Sequence, residues 1–143
     1  MMDIDHFKRI NDQFGHVYGD EVLILLANIM RGSFRNYDRL YRFGGEEFVV
    51  LMRKVSYEEV AHKLEFFRKK MEAYLFPQVG KVTISIGFIQ INPGDSPSNV
   101  LGHADEALYF AKEHGRNQVQ CYATLLEQGL LATKTLHQDA EMF

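Results

Sequence analysis

Residues 42 to 52 read RFGGEEFVVLM: two glycines, two glutamates, then a run of apolar residues fit only for a core. With the preceding stretch, this predicts strands over 38–43 and 46–52 on either side of Gly44-Gly45. Glycine accepts the positive φ angles of a two-residue hairpin turn at little cost, so the two strands are expected to pair antiparallel.

Working outward, the pattern alternates between helix and strand. Residues 7 to 14 (FKRINDQF) predict a short helix ended by Gly15. Residues 20 to 33 repeat Val22, Leu26 and Ile29 at helical spacing, with Leu23 and Met30 beside them. Downstream of the hairpin, Ser56 followed by Glu59 forms a capping box. It opens a helix with Val60, Leu64, Phe67 and Met71 on one face, closed by Pro77. Residues 81 to 91 place Val82, Ile84, Ile86 and Phe88 in alternation, a half-buried strand. A loop over 92–99 leads to a helix from about Ser98 to His114 with Leu101, Ala104, Leu108 and Ala111 inward. Residues 117 to 122 read as a last strand, and 123 to 143 as a loose amphipathic helical tail. A hairpin inside alternating helices and strands predicts an α+β fold: a mostly antiparallel, palm-like central sheet flanked by helices.

The 143 residues suit one domain, and 46% hydrophobic with 24% charged residues is an ordinary globular composition. Sixteen Lys and Arg against nineteen Asp and Glu, a net charge of −3, argue against nucleic acid as a partner. A phosphate-bearing substrate would need local cations or a metal. Cys121 is the sole cysteine, so no internal disulfide forms, which fits a reducing, cytoplasmic setting. No apolar run reaches the roughly 18 residues of a membrane span. Met1 and Met2 lead directly into Asp3, which reads as a chain cut from something longer. A sensory or partner domain upstream is expected, and through such a part the full protein could be membrane-anchored.

Asp3 ends a short apolar strand, and Glu46 and Glu47 begin another. If those strands are neighbours, the acids converge, repel and raise one another's pKa. A divalent cation relieves that repulsion, and magnesium prefers hard oxygen donors shared with phosphate. Glycines beside the acids let a nucleotide approach the backbone. Paired acids at a hairpin equally suit a plain solvated turn.

Four blocks now stand in order: DIDHFKRINDQFGHVYGDEVL (3–23), RFGGEEF (42–48), VTISIG (82–87) and ADEALYFAKEHGRNQV (104–119). Together they resemble the GGDEF domain of the bacterial diguanylate cyclases. The resemblance implies a domain over 1–122 that condenses two GTP molecules into cyclic di-GMP and two pyrophosphates, with residues 123–143 outside it. It implies Asp3, the Ile4 carbonyl and Glu46 as ligands of two Mg2+ or Mn2+ ions per active site. Glu47 is either a further ligand or the group that helps deprotonate the attacking 3′-hydroxyl. Gly44 and Gly45 line the nucleotide, and Asn11 and Asp20 read guanine. The Phe7 and Lys8 amides, with the Lys112 and Arg116 side chains, hold the β- and γ-phosphates. Each domain carries half of the reaction centre, so a homodimer is required.

RNYD (35–38) precedes Gly44 by the spacing of the family's RxxD inhibitory site. There Arg35 and Asp38 would bind the cyclic di-GMP product. The family also carries a helix, a D-x-L-T…N-R segment and most of the first strand ahead of the position of Asp3, where this chain has two methionines. Two other readings compete: a GGDEF module that binds GTP or cyclic di-GMP without catalysis, and an interaction domain that uses no nucleotide. The intact glutamate pair and Asp3 favour the enzyme.

Overall fold

The computed structural model describes residues 1–131. Strand β1 (Met2–Ile4) leads into α1 (Phe7–Phe14) and α2 (His16–Ser33), followed by the hairpin β2 (Arg39–Gly44) and β3 (Glu47–Leu51). Helix α3 (Tyr57–Ala73), a small ribbon of β4 (Leu75–Phe76) and β5 (Gly80–Lys81), and β6 (Ile84–Phe88) come next. Helix α4 (Pro97–Glu113), β7 (Val119–Cys121) and α5 (Tyr122–Glu127) close the described chain. The main sheet has the order β2-β3-β1-β6-β7, antiparallel except for β6 with β7. The expected α+β architecture, a mostly antiparallel sheet flanked by helices, is what forms.

Register explains the layers. Met2 stands opposite Phe48 on β3 and Ile86 on β6, and Ile4 opposite Ile84. Directly opposed residues share a face, so these side chains form one apolar surface. They pack in one core with Phe7 and Ile10 of α1, Leu26 and Met30 of α2, and Leu64, Phe67 and Met71 of α3. The other face carries Asp3, Ser85 and Gly87, and it meets α4. A Cβ on Gly87 would lie 2.2 Å from the Leu108 nitrogen and 2.4 Å from the Ala104 carbonyl, so glycine is what lets the α4 backbone lie against the strand. Ser85 and Gly87 are therefore as buried as their apolar neighbours. The strand expected to be half-buried over 81–91 is instead covered on both faces and confined to five residues.

Other boundaries moved for identifiable reasons. Helix α2 starts four residues before the apolar repeat, because Gly19 packs against α1 and lets the first turn form. A Cβ there would fall 1.8 Å from Asn11 Oδ1. The hairpin turn is Gly45-Glu46, one residue later than Gly44-Gly45. The register slips between Arg42 and Gly44, so Phe43 is an extra residue on β2 and Gly44 pairs with Glu47. Glu46 thus sits in the turn, and Glu47 alone begins β3. Ser56 caps α3 as expected, its Oγ accepting from the Glu59 N–H at 3.2 Å. Before Pro77 the chain turns into the β4–β5 ribbon, which the sequence pattern did not announce. Of the expected helical tail, Tyr122–Glu127 forms α5, and residues 132–143 lie outside the described residues. Among the described residues no helix is long and apolar enough to cross a membrane.

Candidate active site

The centre of the sheet gathers the acids. Asp3, on the middle strand, pairs directly with Glu47 across β3, and the Ile4 N–H donates to the Glu46 carbonyl at 3.3 Å. The three acidic positions of two distant segments thus meet at one sheet end. Asp3 is only 3% exposed. Burial pushes its carboxyl up to about 6; the ion pair with Lys112 opposes this, and the charges of Glu46 and Glu47 add to it. Lys112 Nζ, at the last turn of α4, donates to Asp3 Oδ2.

Among the described residues no three acid, histidine or cysteine side chains stand close enough to share an ion as they are. The donor set nevertheless fits a hard divalent cation. It is all oxygen, it is anionic, and one of its acids is held above its ordinary pKa by burial, with the charges of Glu46 and Glu47 adding to it. Among the described residues, Lys112 supplies the one positive charge bonded to Asp3.

Around this point stand the other expected residues. Two residues separate β1 from α1; the second, His6, precedes the helix in the left-handed region (φ 56°), and among the described residues no side chain caps the helix. The first-turn amides of Phe7 and Lys8 are therefore not engaged by a cap. The Asn11 side chain lies against Gly19, and the exposed Asp20 follows it on α2. Asp20, Leu23, Ile24, Tyr41, Arg42 and Phe48 help line a cavity of about 600 Å³ between α2 and the hairpin. Arg42 donates to the Gly45 carbonyl through Nε (3.1 Å) and its terminal nitrogen (2.9 Å), pinning the turn that carries Glu46. Gly44 and Gly45, both at positive φ, have open space where a Cβ would stand. Lys112 reaches Asp3, whereas Arg116 sits one turn later, half-buried, with φ 61°.

Arg35 and Asp38 are elsewhere, before β2, at the end of that strand opposite to the glycine turn. Six strand residues span about 20 Å. Asp38 Oδ2 accepts from the Arg35 backbone N–H (2.8 Å) and Nε (3.2 Å), and Oδ1 from a terminal guanidinium nitrogen (2.9 Å). The same guanidinium reaches the Arg53 carbonyl at 2.9 Å and lies 4.4 Å from the Tyr37 ring centre. Burial pushes the Asp38 carboxyl up, yet Arg35's bonds and charge outweigh it and leave the pKa below the ordinary value. Asp38 is bonded to Arg35 instead of being open to a guanine.

Sequence reading missed Asp5, which is 4% exposed. It accepts from Thr83 Oγ1 (2.7 Å), Ser85 Oγ (2.6 Å) and the Asn117 N–H (2.9 Å). The signal was present in VTISIG, where hydroxyls and glycine alternate with the apolar residues.

A buried aspartate on a central strand, facing a Gly-Gly-Glu-Glu hairpin, is the geometry against which known proteins can be compared. The family model described as "Diguanylate cyclase, GGDEF domain" matches residues 1–118. The chain belongs to this GGDEF-domain family. Among its relatives, diguanylate cyclase DgcP of Pseudomonas aeruginosa is 42% identical over 123 residues, covering 84% of this chain and 18% of that protein. The probable diguanylate cyclase DgcT of Escherichia coli is 43% identical over 127 residues, covering 83% of this chain and 28% of that one. This GGDEF chain thus spans well under half of either relative. Among solved structures, the GGDEF domain of Caulobacter crescentus DgcB in complex with c-di-GMP superimposes with a TM-score of 0.80 at 34% identity, covering 85% of this chain and 75% of that one. The active GGEEF domain of a Vibrio cholerae diguanylate cyclase gives 0.78 at 36% identity, covering 85% and 79%.

Proposed function

We propose that this domain is a diguanylate cyclase: two GTP molecules are joined 3′ to 5′ into cyclic di-GMP, releasing two pyrophosphates. The observation that carries the reading is Asp3 standing directly across from Glu47, beside the backbone of Glu46, in a family named for that chemistry.

Asp3, the Ile4 carbonyl and Glu46 would hold divalent metal, two Mg2+ or Mn2+ per active site. When bound, such ions lower the pKa of the 3′-hydroxyl and offset charge on the leaving pyrophosphate. Glu47 then serves as a further ligand or takes the 3′-hydroxyl proton. Asn11 and Asp20 face guanine; the Asp20 carboxylate accepts from N1–H and the 2-amino group, a pair that adenine lacks. The uncapped Phe7 and Lys8 amides and the Lys112 and Arg116 side chains hold the β- and γ-phosphates, the planar guanidinium suiting bidentate contact. Gly44 and Gly45 leave the hairpin backbone open to the nucleotide. Lys112 would have to leave Asp3 to hold phosphate, its place at the carboxylate being the one a cation would take.

Because each domain holds one GTP, two copies face each other for reaction. A signal-receiving region elsewhere in a longer protein would set how often they meet. Arg35 and Asp38 form a product-inhibition site, Arg35 giving up bonds to Asp38 to bind cyclic di-GMP. Incubating a dimeric preparation with GTP and Mg2+ tests the main reading. Pyrophosphate and a cyclic dinucleotide in a ratio of about two to one support it. Binding of GTP without either product would leave a regulatory nucleotide-binding module instead.

A further inference from the structure

The turn from Gly115 to Asn117 joins α4 to β7, and its backbone is unusual. Gly115, Arg116 and Asn117 all have positive φ, at 110°, 61° and 46°. Arginine visits that region at a cost, so something outside the turn must hold it there. Two sets of bonds do. From the sheet, Asp5 Oδ2 accepts the Asn117 N–H at 2.9 Å while its carboxylate is fixed by Thr83 and Ser85. From α3, Arg68 donates to Asn117 Oδ1 at 2.8 Å, and Asn117 Nδ2 donates to Glu72. Arg68 is itself locked by Glu65, through Nε at 3.1 and 3.0 Å, and stands 3.6 Å from Glu72. Gln118 adds bonds to the carbonyls of His114 (2.7 Å) and Arg116 (3.2 Å).

These bonds exceed what closing a helix requires. Gly115 already ends α4, and the Arg116 N–H returns to the Ala111 carbonyl at 2.9 Å. What the added bonds do is tie the residue next to Arg116 to Asp5, two positions after Asp3 and two before the start of α1. The aspartate that joins β1 to α1 along the chain thereby holds the Arg116 turn through its carboxylate.

We infer that Asn117, gripped between Asp5 and the Arg68–Glu72 pair of α3, is a positioning residue that aims the Arg116 side chain at the terminal phosphates of a nucleoside triphosphate. The inference rests on the proposed role of Arg116 as a phosphate contact. Asn117→Gly is the informative substitution: it keeps the positive φ and the N–H to Asp5 but deletes both side-chain bonds. Arg68→Ala reaches the same clamp from α3 without altering the turn.

The experiment is calorimetric affinity for a GTP analogue with an α,β-methylene bridge, which cannot react, and for GMP, which lacks the β- and γ-phosphates. Both are measured with Mg2+ on the whole chain. Asn117→Gly and Arg68→Ala are each expected to weaken the analogue on the order of tenfold, with GMP affinity changed less than about twofold. Added to Arg116→Ala, Asn117→Gly should weaken the analogue no further, because there is no guanidinium left to aim. Equal losses for analogue and GMP would mean a merely structural clamp and overturn the inference. So would additivity with Arg116→Ala, or an unchanged analogue affinity in both clamp variants. An Arg116→Ala protein that binds the analogue like the parent would remove the phosphate role of Arg116 itself, and the inference with it.

Discussion

Two aspartates in this molecule are buried beside a cation, and their environments drive them in opposite directions. Asp38 takes three bonds from Arg35, one of them from backbone, and its pKa falls. Among the described residues Asp3 is bonded to the Lys112 ammonium, and burial, helped by the like charges of Glu46 and Glu47, raises its pKa to about 6. A buried carboxylate with a bidentate guanidinium is a finished structural unit. A buried carboxylate among like charges is unfinished, and that state is what a site kept for a divalent cation requires. The β2–β3 hairpin carries one such centre near each end.

The difference is broken most completely at Asp3. Asp3→Asn keeps shape and removes charge, so cyclic dinucleotide formation should fall by on the order of 10²–10³-fold, the size seen when one electrostatic contact to a transition state is lost. Turnover under saturating GTP and Mg2+ measures it. Asp38→Asn should leave the uninhibited initial rate within about twofold, since it lies at the far end of the hairpin. Equal losses in both variants would mean that the two aspartates do the same job.

Lys112 sharpens the contrast from the cation side. Lys112→Gln removes the ammonium that neutralises Asp3. Without nucleotide, Mn2+ should then bind more tightly, by roughly fivefold or more, as follows from deleting a like charge about 4 Å away. Turnover should fall at the same time if Lys112 holds phosphate as proposed. Electron paramagnetic resonance of free Mn2+ reads the first effect independently of activity. Unchanged or weaker Mn2+ binding would show that Lys112 does not compete with a cation at Asp3.

The apolar framework was readable because it follows periodicity. Leu64, Phe67 and Met71 lie on one helical face, and Ile84 and Ile86 on one strand face, as their spacing required. The acids at the hairpin were readable for another reason: glycine and adjacent glutamates are poor choices for a strand unless something uses them. What could not be read depends on tertiary approach. The apolar repeat placed the start of α2 at residue 20, yet the helix already includes Gly19, where the Asn11 side chain occupies the place of the missing Cβ. The bulge at Phe43 moved the turn by one residue, and no local propensity marks a bulge there. Asp5, Arg68 and Asn117 belong to three segments far apart in the chain, and none has a local pattern that predicts their meeting. Lys112 was expected on phosphate; only the fold of α4 over Gly87 brings it to Asp3.

Arg35→Ala tests the finished centre. It should relieve inhibition by added cyclic di-GMP, measured as a rise of at least about tenfold in the concentration that halves the rate. It should also lower the melting temperature, because Asp38 is left buried without its partner. Retained inhibition with a lowered melting temperature would make Arg35–Asp38 a structural pair only.

The smallest effect is a pH dependence of opposite sign at the two aspartates. Asp3 has a folded pKa above its unfolded one, so the folded state binds its proton more tightly. Its contribution to stability is fully present below about 4 and is lost as pH rises through about 6. Asp38 has a folded pKa below its unfolded one. Its contribution is present above the ordinary carboxylate range and is lost as pH falls through its lowered value. Melting temperatures of Asp3→Asn and Asp38→Asn, each minus that of the parent, should therefore diverge with pH. The first difference should become more positive between pH 4 and 7, and the second more negative as pH rises from the acid side toward about 4. Metal must be chelated throughout, because cation binding at Asp3 would supply the stabilisation that the bare carboxylate lacks and would reverse the first trend. Parallel curves would mean that Asp3 does not hold its proton more tightly in the folded state than in the unfolded chain, and the contrast between the two centres would fall.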